Sequence, residues 1–159
     1  MVYYVEYPSP VGTLLLTCRG GALTGLWMDR QPEIGWTLME EHPILMQTWE
    51  WLNTYFQGEV PAGKIPMSPE GTDFQKQVWQ ILRTISYGET RTYGSIAKEL
   101  AERLGKERMS AQAVGGAVGR NPISILVPCH RVVGTDGKLT GYAGGLDKKE
   151  WLLKHEKAI

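Results

Sequence analysis

Residues 110–131 read SAQAVGGAVGRNPISILVPCHR, a run of small residues followed by an apolar stretch that ends in Pro-Cys-His-Arg. Ser110 suits a helix N-cap, because a serine oxygen accepts from the free N–H groups of a first turn. Ala111 to Gly119 then predicts a short helix. Its Ala111, Ala113, Gly115, Gly116, Ala117 and Gly119 leave almost no side-chain bulk on one side. Each interior glycine costs a helix roughly 1 kcal/mol, and close backbone approach to another surface is the usual compensation. That surface is either a neighbouring helix or an external partner. After Asn121-Pro122, an apolar run predicts a strand leading into Pro128, with Cys129, His130 and Arg131 directly behind it.

Toward the N-terminus, Thr72-Asp73-Phe74-Gln75 is a capping box, Thr followed three residues later by Gln. Phe74, Val78, Ile81, Leu82 and Ile85 form the apolar face of the helix it opens. Tyr87 to Thr90 is a turn. Thr92 caps a second helix with Ile96, Ala97, Leu100 and Leu104 facing inward and Gly105 ending it. Two helices joined by a short polar connection, ending in the helix at 111–119, match both a helix-turn-helix and a plain helical hairpin. Earlier still, Val2–Tyr7, Thr13–Cys18 and Ala22–Met28 are β-rich runs separated by Pro8–Gly12 and Arg19-Gly20-Gly21, which predicts an antiparallel meander. Leu45, Trp49, Leu52 and Phe56 recur at helical spacing after His42-Pro43 and stop at Gly58. Glu59 to Gly71 is Pro/Gly-rich and reads as a linker.

A chain of 159 residues suits one large domain or two small ones. Residues 1–71 carry three Lys/Arg against eight Asp/Glu, and residues 72–159 carry fourteen against nine. The second half therefore suits a polyanionic partner. Met1 to Glu6 has no basic or long apolar leader region, and no stretch approaches the ~20 apolar residues of a membrane span. The expectation is a cytoplasmic chain with no membrane partner. Cys18 and Cys129 are the only cysteines, and His42, His130 and His155 are scattered, so neither a disulfide nor a metal cage is expected.

Chemistry at Cys129 requires a thiolate, and a free thiol titrates near ~8.5. A base or a cation must assist. His130 and Arg131 are adjacent, but neighbours in an extended segment point to opposite faces, so a bent backbone or a bridging water has to make the link.

Pro128-Cys129-His130-Arg131-Val132-Val133-Gly134 resembles the reactive signature of the methylated-DNA–protein cysteine methyltransferases, the O6-alkylguanine-DNA alkyltransferases. The likeness extends over Tyr93, Ala113–Ala117, Asn121-Pro122, Gly141-Tyr142-Ala143-Gly144-Gly145-Leu146 and Lys149–Glu156, and covers most of 72–159. Over 1–71 it rests on Ser9–Gly12 and the meander. The resemblance implies an α+β fold: a small ribonuclease-H-like antiparallel sheet with a helix at 1–66, then a winged helix-turn-helix-like domain at 67–159. It implies direct, single-turnover repair of double-stranded DNA, with an alkyl group moved from O6 of guanine (or O4 of thymine) to Cys129 without a cofactor, by a monomer.

The implied roles are these. Glu156 orients His130, which takes the Cys129 proton through a water. Asn121 pins the turn before the reactive segment. Tyr93 rotates the nucleotide outward and donates toward guanine N3. Val132 and Cys129 present carbonyls to the guanine amine, and Tyr142, Ala143 and Gly144 border O6. Arg131, grouped with the substrate-binding residues, is structural, a partner for a nearby carboxylate. Ala111, Gln112, Ala113, Gly115 and Gly116 enter the minor groove, whose ~6 Å width admits only small side chains. Two departures stand out. Gln112 replaces a frequent arginine, and Ala143 replaces a frequent serine. The rival readings are a non-enzymatic damage sensor of the same fold, a helix-turn-helix regulator and a cysteine hydrolase.

Overall fold

The structure, a computed structural model, describes residues 1–159. It divides into two compact units: Met1–Glu70 with Pro122–Ser124, and Gly71–Asn121 with Ile125–Ile159.

In the first unit, strands β1 (Tyr3–Ser9), β2 (Gly12–Arg19) and β3 (Ala22–Met28) form the expected meander. Tyr3 pairs with Cys18 and Ser9 with Gly12, so the hairpin register is set by the Pro-Val-Gly turn. The sheet is not wholly antiparallel. A two-residue strand β4 (Thr37–Leu38) runs parallel to β1, giving the order β3-β2-β1-β4. Central β2 is buried over Leu14 to Cys18. Helix α1 (Pro43–Phe56) packs on the sheet with Leu45, Leu52 and Tyr55 buried, and Gly58, at φ +91°, follows its end. Gly25 has no substitute: an added Cβ would lie 2.0 Å from the Trp27 ring. The segment Pro122–Ser124 belongs to this unit, with the Leu26 N–H donating to the Pro122 carbonyl at 2.9 Å.

In the second unit, Thr72 caps α2 (Asp73–Leu82) with both halves of the capping box present. Thr92 ends the short strand β5 (Arg91–Thr92) and caps α3 (Tyr93–Arg103); Ser110 caps α4 (Ala111–Gly119). Val78, Ile81 and Leu82 of α2, Ile96 and Leu100 of α3, and Val114 and Val118 of α4 are buried. Trp79 joins them, its indole N–H donating to the Ala117 carbonyl at 2.9 Å. Leu104, expected inside, is at the surface. Helix α3 ends at Arg103 and Gly105 turns left-handed at φ +66°, so the helical period stops before Leu104 can use it. Strand β6 (Val132–Val133) runs parallel to β5, and α5 (Leu146–His155) closes the unit. No helix is long and apolar enough to cross a membrane.

Candidate active site

The reactive segment is bent where the sequence predicts a strand. Ile123 makes only an isolated bridge, and Cys129–Arg131 is one turn of 3-10 helix. The bend begins at Pro128, whose φ of −79° and ψ of 64° are those of an inverse γ-turn. The Cys129 N–H closes that turn on the Val127 carbonyl at 2.7 Å. Asn121 Nδ2 donates to the same carbonyl at 2.8 Å, tying the end of α4 to the turn. Ile125, a β-branched residue, sits at φ +71° in between. Such a backbone is strained by roughly 1–2 kcal/mol, and surrounding contacts must hold it; Ile125 is itself buried.

The 3-10 turn delivers His130 and Arg131 to one carboxylate. His130 Nε2 lies 2.6 Å from Glu156 Oε2, and Arg131 Nε donates to Glu156 Oε1 at 2.8 Å. The Gly88 N–H adds a third contact to Oε1 at 3.3 Å, and Arg131 Nη1 donates to the Ile85 carbonyl at 2.7 Å. All three side chains are buried. Gly88 is held at φ +82°, where an added Cβ would press within 3.3 Å of the Glu156 carbonyl.

Burial alone would raise the Glu156 carboxyl. The hydrogen bond and charge of His130, then those of Arg131, outweigh it and hold the carboxyl at about 2. Burial pushes His130 down, and the Arg131 and Lys149 charges add to that against the pull of Glu156. At neutral pH the pair is therefore carboxylate and neutral imidazole. The proton must then sit on Nε2, and Nδ1 is the free base. That Nδ1 is buried with no protein partner.

Cys129 is 6% exposed. Burial raises its thiol, against a smaller downward pull from the Asn121 amide, the Lys149 charge, its own backbone and the Tyr142 hydroxyl. A thiol in this state is inert until a base removes its proton. Cys18 is a different case. It is wholly buried in β2 and pushed up to about 11 by burial alone.

The remaining candidates fall into two groups. Tyr93, half-buried at the start of α3, donates from its hydroxyl to the Thr140 carbonyl at 3.2 Å. The carbonyls of Cys129 and Val132 each accept one bond already, from the Val132 N–H and from Lys149 Nζ. Tyr142 is half-buried and Ala143 exposed in the loop before α5, where the Gly145 N–H donates to the Tyr142 carbonyl at 3.0 Å. The second group is on α4. Ala111, Gln112, Ala113 and Gly116 are exposed and Gly115 is half-buried. A Cβ at Gly116 or Gly119 would meet nothing within 4 Å, and one at Gly115 would touch the Tyr93 ring at an ordinary 3.8 Å. Packing inside the chain therefore does not explain these glycines.

Sequence reasoning missed Lys149. It lies in the run Lys148-Lys149-Glu150, which reads as solvated surface, yet it is wholly buried. Its ammonium donates to the carbonyls of Val132, Thr140 and Gly141 at 2.5, 2.9 and 3.3 Å. No group of three His, Cys, Asp or Glu side chains is placed to hold a metal ion.

The chain matches two family models. Residues 73–158 match "6-O-methylguanine DNA methyltransferase, DNA binding domain", and residues 2–69 match "6-O-methylguanine DNA methyltransferase, ribonuclease-like domain". It is 46% identical to the methylated-DNA–protein-cysteine methyltransferase of Haemophilus influenzae, over 98% of this chain and 87% of that one. It is 45% identical to the protein of the same name from Methanosarcina acetivorans, over 98% of each. Among solved structures it resembles Mycobacterium tuberculosis OGT in complex with DNA, at 45% identity and a TM-score of 0.83, covering 98% of this chain and 93% of that one.

Proposed function

The chain belongs to the 6-O-methylguanine DNA methyltransferase family, and from that membership we propose the residues and the chemistry by which it acts. It is a DNA-repair enzyme that moves an alkyl group from methylated DNA to a cysteine of its own. Cys129 is that cysteine, O6 of guanine in a duplex is the donor, and O4 of thymine is a second candidate donor.

Residues 67–159 carry the chemistry. Helix α4 enters the minor groove with its exposed Ala111, Gln112, Ala113 and Gly116 and the half-buried Gly115. Gln112 fills the space of the rotated base, and Tyr93 crowds the adjacent phosphate to turn the nucleotide out. Carbonyls of Cys129 and Val132 accept from the guanine amine through their second lone pairs. The N–H groups of Tyr142 and Ala143, with Gly144 beside them, meet O6. His130 Nδ1 takes the thiol proton through a water, and Glu156 stabilises the imidazolium that results. The sulfur attacks the alkyl carbon in line. An S–C bond forms, the C–O6 bond breaks, and its electron pair stays on guanine, where the Tyr93 hydroxyl meets the charge growing on N3. The product is a thioether with no acidic leaving group, so each molecule works once, as a monomer, in the cytoplasm.

One observation carries this reading: Glu156 holds His130 by Nε2, leaving a buried, unpartnered Nδ1 in the same helical turn as Cys129. Its test is intact-mass spectrometry after incubation with a duplex containing O6-methylguanine. The expected gain is one methylene, roughly 14 Da, on Cys129 and absent from Cys129→Ala. A duplex left methylated beside an unmodified Cys129 would overturn it.

A further inference from the structure

We propose that Lys149 is a positioning residue of the transfer reaction: its buried ammonium locks β6 and the Thr140-Gly141 backbone beside Cys129 and supplies the fixed positive charge against which the thiolate forms. The inference rests on the reading of Cys129 as the acceptor.

The geometry has three parts. Lys149 projects from α5 and is wholly buried, so its charge does not serve solvent. Three N–H donors meet three backbone carbonyls, Val132 in β6 and Thr140 and Gly141 in the loop. The Tyr93 hydroxyl donates to the same Thr140 and Gly141 carbonyls, and its ring lies 5.8 Å from the ammonium. Lys149 thus joins the segment that begins directly after the reactive turn to the loop before α5.

Its charge has no counter-ion. Every partner of Lys149 is a neutral carbonyl, while the nearby carboxylate, Glu156, is engaged by Arg131 and His130. The buried set of Glu156, Arg131 and Lys149 is one positive charge in excess. Facing Lys149 are Tyr93 from α3 and Cys129 and His130 from the 3-10 turn. Of these, Cys129 is the group whose ionisation during transfer supplies a negative charge. The Lys149 charge pulls the thiol down, opposing the upward push of burial. Burial pushes Lys149 itself down to about 8, so keeping this ammonium charged is a cost to the fold. Proton transfer from Cys129 to His130 then makes an anion near Lys149 and a cation against Glu156. Each nascent charge meets a fixed opposite one, and little reorganisation is needed.

The test uses the full chain. Lys149→Met keeps the stem and removes the charge; Lys149→Arg keeps the charge. We expect single-turnover methyl transfer to fall about 100-fold in Lys149→Met, with affinity for an unmodified duplex unchanged. The pH midpoint for Cys129 alkylation by iodoacetamide should rise in Lys149→Met and return part-way in Lys149→Arg. Slower transfer with an unmoved midpoint would overturn the electrostatic role. Should the variants not fold, NMR titration of the Lys149 Cε resonance provides a second reading. Its midpoint should be lower in Cys129→Ser than in the wild type, and equal midpoints would overturn the proposal. The mass gain on wild-type Cys129 is scored separately, so failure of the functional reading is not confused with failure of this one.

Discussion

Asn121 Nδ2 and the Val127 carbonyl are joined at 2.8 Å across six residues, and this bond closes the loop between α4 and the reactive turn. The same carbonyl also accepts the Cys129 N–H. One oxygen therefore couples the end of α4 to the backbone of the thiol. Asn121→Ala removes the side-chain donor while the γ-turn bond remains. The expected loss is about 1–3 kcal/mol of stability, the usual cost of a broken buried hydrogen bond. Transfer should slow by about 100-fold, because displacement of a reacting atom by ~1 Å costs that much. Denaturant unfolding and single-turnover kinetics measure the two. An unchanged rate would mean the bond does not position the sulfur.

Glu156 holds both the Arg131 guanidinium and the His130 imidazole, and the two services can be separated. Glu156→Gln leaves Arg131 as an unpaired buried charge, which costs about 3–5 kcal/mol. It also removes the anion that stabilises the His130 imidazolium, and transfer should slow by about 10²–10⁴-fold. Adding Arg131→Met to Glu156→Gln should restore much of the stability and none of the rate. Recovery of the rate in the double variant would show that Glu156 acts only through the fold.

The same cluster sets the acid limit of the protein. The folded Glu156 carboxyl titrates at about 2 against an ordinary 4.5. A depressed carboxyl stabilises the fold above its unfolded value, and that contribution is lost as pH falls from about 4.5 toward 2. His130 is also depressed, so its contribution has the same sign and begins to fall earlier, below its ordinary 6.5. Stability measured by urea unfolding should therefore decline in two stages on acidification, by a few kcal/mol in total. Glu156→Gln should lack the lower stage. A single decline shared by wild type and variant would contradict the assignment.

How much of this could be read from the chain depended on whether the deciding contact was local. The Thr72, Thr92 and Ser110 caps are side-chain to backbone bonds spanning three residues, and each opens the helix expected of it. The meander follows from turn residues beside alternating strands. By contrast, Ile123 to Val127 has the composition of a strand, and what bends the segment is the γ-turn at Pro128 and an amide six residues back. Strand β4 is two residues long and pairs with β1 more than thirty residues away, so no local pattern announces it. Lys149 lies between charged neighbours, and its burial is decided by carbonyls 8 to 17 residues earlier.

The glycines of α4 separate a packing role from a groove role. No atom lies within 4 Å of a Cβ placed on Gly116. Gly116→Ala should therefore stabilise the protein by roughly 0.5–1 kcal/mol, the helix-propensity gain. Gly116→Leu should fold as well as wild type yet bind duplex DNA poorly, since the minor groove does not admit the added bulk. Thermal unfolding and fluorescence anisotropy test the two halves. Loss of stability in Gly116→Leu with intact binding would point back to internal packing.

Gln112 is the exposed, long side chain near the start of α4, and it is uncharged. DNA affinity contains a counterion-release term that scales with the number of neutralised phosphates. A glutamine can occupy the gap left by a rotated base but releases no counterion. Gln112→Arg should therefore bind duplex more tightly at low salt, and its log-affinity against log-salt slope should steepen by about one. The advantage should shrink as salt rises, and the two proteins should converge near the salt concentration where the added charge is screened. The methyl-transfer rate at saturating DNA should change little, because Gln112 touches neither the thiol nor its base. Parallel slopes with a uniform gain in affinity would assign the gain to stacking or hydrogen bonding instead. Equal affinities at every salt concentration would mean that position 112 does not meet the DNA.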